Sequence, residues 1–189
     1  MESAMIVTVS EKSAAYFNEM LDTASISQTV VLPTCGDARR MLAEREFDLV
    51  IINAPLRDES GETLARHIAV KGLSQVILAV SSEYFDAVSE ICENDGVLTV
   101  AKPINKTVFW AALKLAKSAH NRIMNIRAEN SKLKQKIEDI RIVDRAKCIL
   151  ISHLSMSEQD AHRYIEKQAM DMRQSKRVIA EGILKTYEN

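Results

Sequence analysis

The sequence predicts an α/β fold, a doubly wound sheet of five parallel strands, followed by a long coiled-coil helix and a small three-helix module. Three observations predict it. Short Val- and Ile-rich runs alternate with stretches of helical spacing over the first hundred residues. A seam of small and apolar residues then repeats at three and four residues, with no Pro or Gly between Pro103 and Gly182. Shorter amphipathic segments close the chain.

The predicted strands are 5–9, 29–32, 49–53, 76–80 and 97–100. Each is short and predominantly apolar, rich in Val and Ile, as suits a strand covered on both faces. Between them, Tyr16, Met20 and Leu21 mark a first helix. Ala38, Met41 and Leu42 mark a second, with Asp37 as its expected cap. Leu64, Ile68 and Ala69 mark a third, and Phe85, Val88 and Ile91 a fourth. Gly72 and Gly96 stand just after two of these helices, where a left-handed residue is favoured. Strands alternating with helices form a parallel sheet whose ligands gather at the strands' C-terminal ends.

The seam runs through Phe109, Ala112, Ala116, Ala119, Ile123, Ile126, Asn130, Leu133, Ile137 and Ile140. Ala116, Ile123, Asn130 and Ile137 take the a positions of a heptad, and Ala119, Ile126, Leu133 and Ile140 the d positions. The first part, to Ala119, is expected to pack on its own domain as the last helix. Ile123, Ile126, Asn130, Leu133, Ile137 and Ile140 are expected to form a parallel homodimer. Asn130 would set its register, because paired Asn side chains can hydrogen-bond across the axis. Domains are therefore expected at 1–120, 121–140 and 141–189.

Beyond the seam, Ile142, Val143, Ala146, Ile149 and Leu150 continue an apolar face. Ser157 with Asp160 three residues on predicts a fresh helix start. Ala161, Tyr164, Ile165, Gln168 and Ala169 share one face of that helix. A break near 173–175 leads to Val178, Ile179, Ile183 and Leu184.

Composition narrows the function classes. Net charge is −1, but residues 1–130 hold 13 Lys+Arg against 17 Asp+Glu, and residues 131–189 hold 12 against 9. Such asymmetry suggests different partners for the two parts. No apolar run approaches the roughly 20 residues that span a bilayer, so no membrane contact is expected. Met1-Glu2-Ser3-Ala4 starts no signal-peptide pattern. Cys35, Cys92 and Cys148 have neither metal-ligand nor disulfide spacing, so a cytoplasmic protein with free thiols is expected. No nucleophile–base set, P-loop or metal cluster appears, and His67, His120, His153 and His162 are scattered. An enzyme is not expected, nor a metal, cofactor or catalytic residue.

Two segments carry a family resemblance for the first half. Phe47-Asp48-Leu49-Val50-Ile51-Ile52-Asn53-Ala54-Pro55-Leu56 with Gly61, and Val100-Ala101-Lys102-Pro103, resemble the third and fifth strands of response-regulator receiver domains. The resemblance covers about residues 4–120 and implies a receiver-like (flavodoxin-like) sheet with a phosphoacceptor pocket. Where receivers place the phosphoacceptor aspartate stands Asn53, and an amide cannot form an acyl phosphate. Where they place an acidic pair for Mg²⁺ stand Ser10 and Glu11, leaving at most one of the carboxylates that ion needs. The switch hydroxyl falls on Ser81 or Ser82, and Lys102 is retained. The expectation is a degenerate pocket of Ser10, Glu11, Asn53, Ser81 and Lys102, in a pseudo-receiver. Its input is left open: a regulatory protein, a small ligand, or none. Phosphorylation at Asp48 or Asp58 is the alternative.

The last third resembles the ANTAR family of transcription-antitermination domains. The residues that carry this are Arg145-Ala146-Lys147-Cys148-Ile149-Leu150-Ile151, Ser157-Glu158-Gln159-Asp160-Ala161-His162-Arg163-Tyr164-Ile165, Gln168-Ala169-Met170-Asp171 and Val178-Ile179-Ala180-Glu181-Gly182-Ile183. They cover about residues 128–187. Cys148 stands where the family often has Gly, and His162 where it often has Phe or Tyr. The resemblance implies binding to paired hairpins in a leader mRNA. Stacking rings and phosphate-binding cations would do this. The candidate RNA-binding residues are Lys147, His162, Arg163, Tyr164, Lys167, Arg173, Lys176 and Arg177. Ala146, Ala161 and Ala169 are expected to let helices approach closely. A DNA-binding response regulator and a coiled-coil interaction adaptor are the competing readings.

Overall fold

The computed structural model describes residues 1–187. The chain divides into two compact units, Met1–Met124 and Asn125–Asn189, and the boundary falls inside one helix.

The first unit alternates β1 (Ser3–Val7), α1 (Glu11–Thr23), β2 (Gln28–Leu32), α2 (Cys35–Glu44), β3 (Leu49–Asn53), α3 (Glu62–Lys71), β4 (Gln75–Ser81), α4 (Phe85–Glu93) and β5 (Val97–Lys102). The strands are parallel and ordered β2-β1-β3-β4-β5. The order reverses between β1 and β3, which makes that gap the crevice where such sheets take ligands.

Strand alternation sorts the apolar residues into two cores. Met5, Val7, Val50, Ile52, Val76, Leu78 and Val80 face one side, with Ala38, Leu64 and Ile68 from α2 and α3. Ala4, Ile6, Leu49, Ile51, Ile77 and Val100 face the other. There they meet Phe17, Met20 and Leu21 of α1 and Phe109, Ala112, Leu113 and Ala116 of α5 (Lys106–Leu154). Gly61 caps α3 with φ 88°, and a Cβ there would lie 2.9 Å from Ile52 Cγ2. Only glycine fits both the backbone and the space.

Two local expectations are corrected. The cap of α2 is Thr34, not Asp37. Thr34 Oγ1 accepts the Asp37 N–H at 3.0 Å, and its hydroxyl donates to the Asp37 carboxylate at 2.6 Å. Asp37 is thus the third helical residue, and both of these bonds run to the Thr34 hydroxyl. Strand β1 covers Ser3–Val7 rather than 5–9. Its start is tied early because Asp48 accepts the N–H groups of Glu2 and Ser3, at 2.6 and 3.1 Å.

The second unit contains the rest of α5, then α6 (Glu158–Met172) and α7 (Lys176–Tyr187). Ser157 caps α6, accepting the Asp160 N–H at 3.1 Å, as the spacing predicts. Left-handed Ser155 and Arg173 mark the two breaks. The core is small: Ala146, Leu150, Ala161, Ile165, Ala169, Ile179 and Ala180, with Ile142, Val143, Met156, Ile183 and Leu184 around it. Three of the buried alanines are those expected from sequence. Their small side chains bring the helix backbones together. Among the described residues no helix is long and apolar enough to cross a membrane.

Candidate functional site

The first candidate site lies at the C-terminal ends of β1 and β3. Residues alternate along each strand, so Thr8 continues the face of Ala4 and Ile6, and Asn53 that of Leu49 and Ile51. The two meet: Asn53 Nδ2 donates to Thr8 Oγ1 at 3.0 Å, and Asn53 is buried. The Ser10 N–H donates to the same hydroxyl at 3.2 Å. Ser10 Oγ in turn accepts the Ser13 N–H at 3.2 Å and so caps α1. The position of the phosphoacceptor therefore holds an amide bonded to a hydroxyl.

Lys102, at the end of β5, donates from Nζ to the Ala54 carbonyl. Burial pushes its pKa down, with no carboxylate contributing. Asn53 and Lys102 line one cavity of ≈ 300 Å³ together with Lys12, Ser13, Tyr16, Phe17, Pro103 and Ile104.

The sequence-derived set is thus only partly brought together. Asn53 and Lys102 share the cavity, and Ser10 sits beside it as a helix cap. Glu11 is exposed in the first turn of α1 and does not line it. Ser81 pairs in register with Lys102 but lines a second cavity with Ala54, Pro55, Val80, Tyr84 and Val88. Ser82 donates its hydroxyl to the Lys102 carbonyl. Thr8, Lys12 and Tyr16 escaped the sequence reading. Thr8 was signalled by its alternation with Ala4 and Ile6; the other two had no signal beyond their place on α1.

The alternative aspartates are otherwise engaged. Asp58 accepts the N–H groups of Cys35 and Gly36, at 3.1 and 3.0 Å, and these donors hold its carboxyl below the usual carboxylate range. Asp48 ties down β1 at the N-terminal ends of the strands, away from the cavity, and His120 Nε2 lies 3.7 Å from it.

The second candidate site is the surface of the C-terminal unit, where folding separates the predicted cations into two groups. Lys147 lies 2.8 Å from Asp144 and 2.9 Å from Glu158, with its side chain 16% exposed; both carboxylates hold its ammonium pKa up. Arg177 pairs with Glu181 at 2.7 Å and Asp139 at 2.9 Å. Lys176 pairs with Glu166, and His162 Nε2 is 3.3 Å from the same carboxylate. Arg163, Lys167 and Arg173 have no carboxylate partner among the described residues. Arg163 and Lys167 are four apart on α6, with exposed Tyr164 between them and opposite the buried Ala161, Ile165 and Ala169. Arg173 caps the end of the same helix.

The expected seam is apolar and solvent-facing within the chain. Ile126, Leu133, Ile137 and Ile140 are each about half exposed, at 48%, 49%, 52% and 59%, and Asn130 is exposed between them. Ile123 is half-buried.

A receiver-like fold leading into a helical C-terminal unit defines a class. Residues 131–184 match the ANTAR domain. The chain thus joins a receiver-like fold in its first unit to a segment that matches the ANTAR domain in its second. Among curated proteins it is similar to the transcriptional regulatory protein PdtaR of Mycobacterium tuberculosis (strain ATCC 25618 / H37Rv). The identity is 26% over 159 residues, which is 82% of this chain and 78% of that protein. Among solved structures, the signal receiver domain of an HD domain-containing protein from Pseudomonas fluorescens Pf-5 aligns with TM-score 0.56 and 21% identity, over 65% of this chain and 91% of that one. A two-component response regulator from Clostridium difficile aligns with TM-score 0.53 and 17% identity, over 62% and 97%. These structural likenesses establish the fold of the first unit.

Proposed function

We propose that this protein is a cytoplasmic transcription antitermination regulator that binds hairpins in a leader mRNA as a parallel homodimer. It acts by binding, not by catalysis, and its receiver-like domain takes input without aspartyl phosphorylation. The observation that carries the reading is the ANTAR match over a compact helical unit whose α6 presents Arg163, Tyr164 and Lys167 together. Cations without intramolecular partners are free to replace phosphate counterions, and an exposed ring can stack on an unpaired base. On this basis Arg163, Lys167, Arg173 and Tyr164 lead the candidate set. Lys147, Lys176, Arg177 and His162 would first have to leave a carboxylate. Two copies joined along Ile126–Ile140 would present two such faces, which suits paired hairpins.

A gel-shift series with leader hairpins and with duplex DNA tests the class. Hairpin binding is expected to be the tighter. Replacing Arg163 and Lys167 together with alanine is expected to weaken it at least tenfold. Four cations are lost across the two chains, so the slope of log affinity against log salt should fall by about 3, from roughly 0.7–0.9 per phosphate contact. Tighter binding to duplex DNA would favour the DNA-binding reading instead. No binding to either would leave the adaptor.

The Asn53–Thr8 hydrogen bond supports the unphosphorylated reading, because the amide offers no carboxylate for an acyl phosphate. Incubation with acetyl phosphate and Mg²⁺ is expected to leave no acid-labile phosphate on the chain. Stoichiometric labelling would overturn this part of the proposal.

A further inference from the structure

The cavity at Asn53 and Lys102 has the opposite electrostatic character to a site built for Mg²⁺. A metal-dependent phosphoacceptor needs clustered carboxylates. Here the lining contributes two lysines, an amide, two hydroxyl side chains and the apolar surfaces of Pro103 and Ile104, and no carboxylate. Lys12 is exposed on the first turns of α1 and has no ion-pair partner among the described residues. Lys102 is held in the cavity by a single carbonyl acceptor, so an ammonium with three donors retains capacity for more. The Tyr16 hydroxyl is buried without a hydrogen-bond partner. The cavity also opens at the β1–β3 reversal, where doubly wound sheets bind their ligands.

We propose that this cavity binds a small oxyanion non-covalently and without Mg²⁺. Lys102 and Lys12 supply charge, and Asn53 supplies a donor. Pro103 and Ile104 give an apolar wall that favours a short organic carboxylate over a bare inorganic ion. At ≈ 300 Å³ the cavity suits a ligand of a few heavy atoms. No bond to the protein forms or breaks. The inference rests on the unphosphorylated reading of Asn53 and names what replaces the phosphoryl group as input.

Calorimetric titration of the full chain with inorganic phosphate, and separately with butyrate, tests it. Both are run without Mg²⁺ at constant ionic strength set by chloride. Saturable binding of one anion per chain is expected, at least tenfold weaker in Lys102→Met and several-fold weaker in Lys12→Met. Circular dichroism shows whether each variant folds; if Lys102→Met does not, Lys12→Met carries the comparison. Tighter binding of butyrate supports the organic carboxylate, and tighter binding of phosphate supports the inorganic source. Absence of saturable binding to both, or unchanged affinity in the folded variants, overturns the proposal. Acid-labile phosphate after acetyl phosphate treatment would overturn the underlying reading. Absence of both phosphate transfer and anion binding would overturn the oxyanion site alone.

Discussion

Replacing Leu133 and Ile137 together with aspartate is expected to leave each chain folded and to abolish the proposed dimer. Within one chain both side chains already face solvent, so the receiver-like core and the small C-terminal core lose nothing. The loss falls on association. Fully burying a Leu or Ile stabilises by about 1.5–3 kcal/mol, and these are half exposed beforehand, so each contributes about 1 kcal/mol. Two positions on two chains give about 4 kcal/mol, roughly a thousandfold in the dimer dissociation constant. Unpaired carboxylates on the seam add to this. Sedimentation velocity should show a monomer at concentrations where the parent chain is a dimer. Hairpin affinity should fall with it, because one face would act where two acted. A double variant that remained dimeric would place the dimer interface elsewhere, or remove it from the proposal.

Phe17→Ala should destabilise the first unit by about 3–5 kcal/mol, a large share of the roughly 5–15 kcal/mol typical of a domain. Phe17 is fully buried between α1 and α5, with ring centroids 5.2 Å from Phe109 and 5.7 Å from Tyr16. Truncation removes the transfer energy of a ring and leaves a cavity that the surrounding sheet cannot collapse into. Leu115→Ala is the control. That side chain is 62% exposed on α5, so its loss is expected to stay within about 0.5 kcal/mol. Urea unfolding followed by circular dichroism measures both. Equal midpoints for the two variants would contradict the packing described for α1 and α5.

Both effects trace to features of different legibility. The run Leu49–Ile52 could be read as a doubly covered strand because every residue in it is apolar, and all of β3 is buried. The pattern at β1 was less decisive. Val9 is apolar but partly exposed, while the strand's true start depends on Asp48, more than forty residues away. A side chain that distant leaves no local mark. The same contrast holds for caps. Ser157 and Asp160 announce α6 at short range, whereas Asp37 resembled a cap because its partner Thr34 was overlooked.

The candidate sites divide in the same way. Asn53 and Lys102 were legible through their place at strand ends, since the resemblance locates them without any knowledge of packing. Thr8 and Tyr16 join them only because the reversal between β1 and β3 brings α1 over the crevice. On the C-terminal unit, Lys147, Arg163, Lys167 and Arg177 looked equivalent as isolated cations.

The sequence alone determined the α/β alternation, the heptad seam, the ANTAR motif and the missing phosphoacceptor carboxylate. Periodicity and residue chemistry are local properties and survive without coordinates. The tertiary structure decided which cations are free for a partner and what surrounds Asn53. It also decided that a cavity with lysines and no carboxylate stands where the resemblance places a degenerate phosphoacceptor pocket. Charge pairing and burial depend on distances between elements remote in the chain, and folding sets those distances.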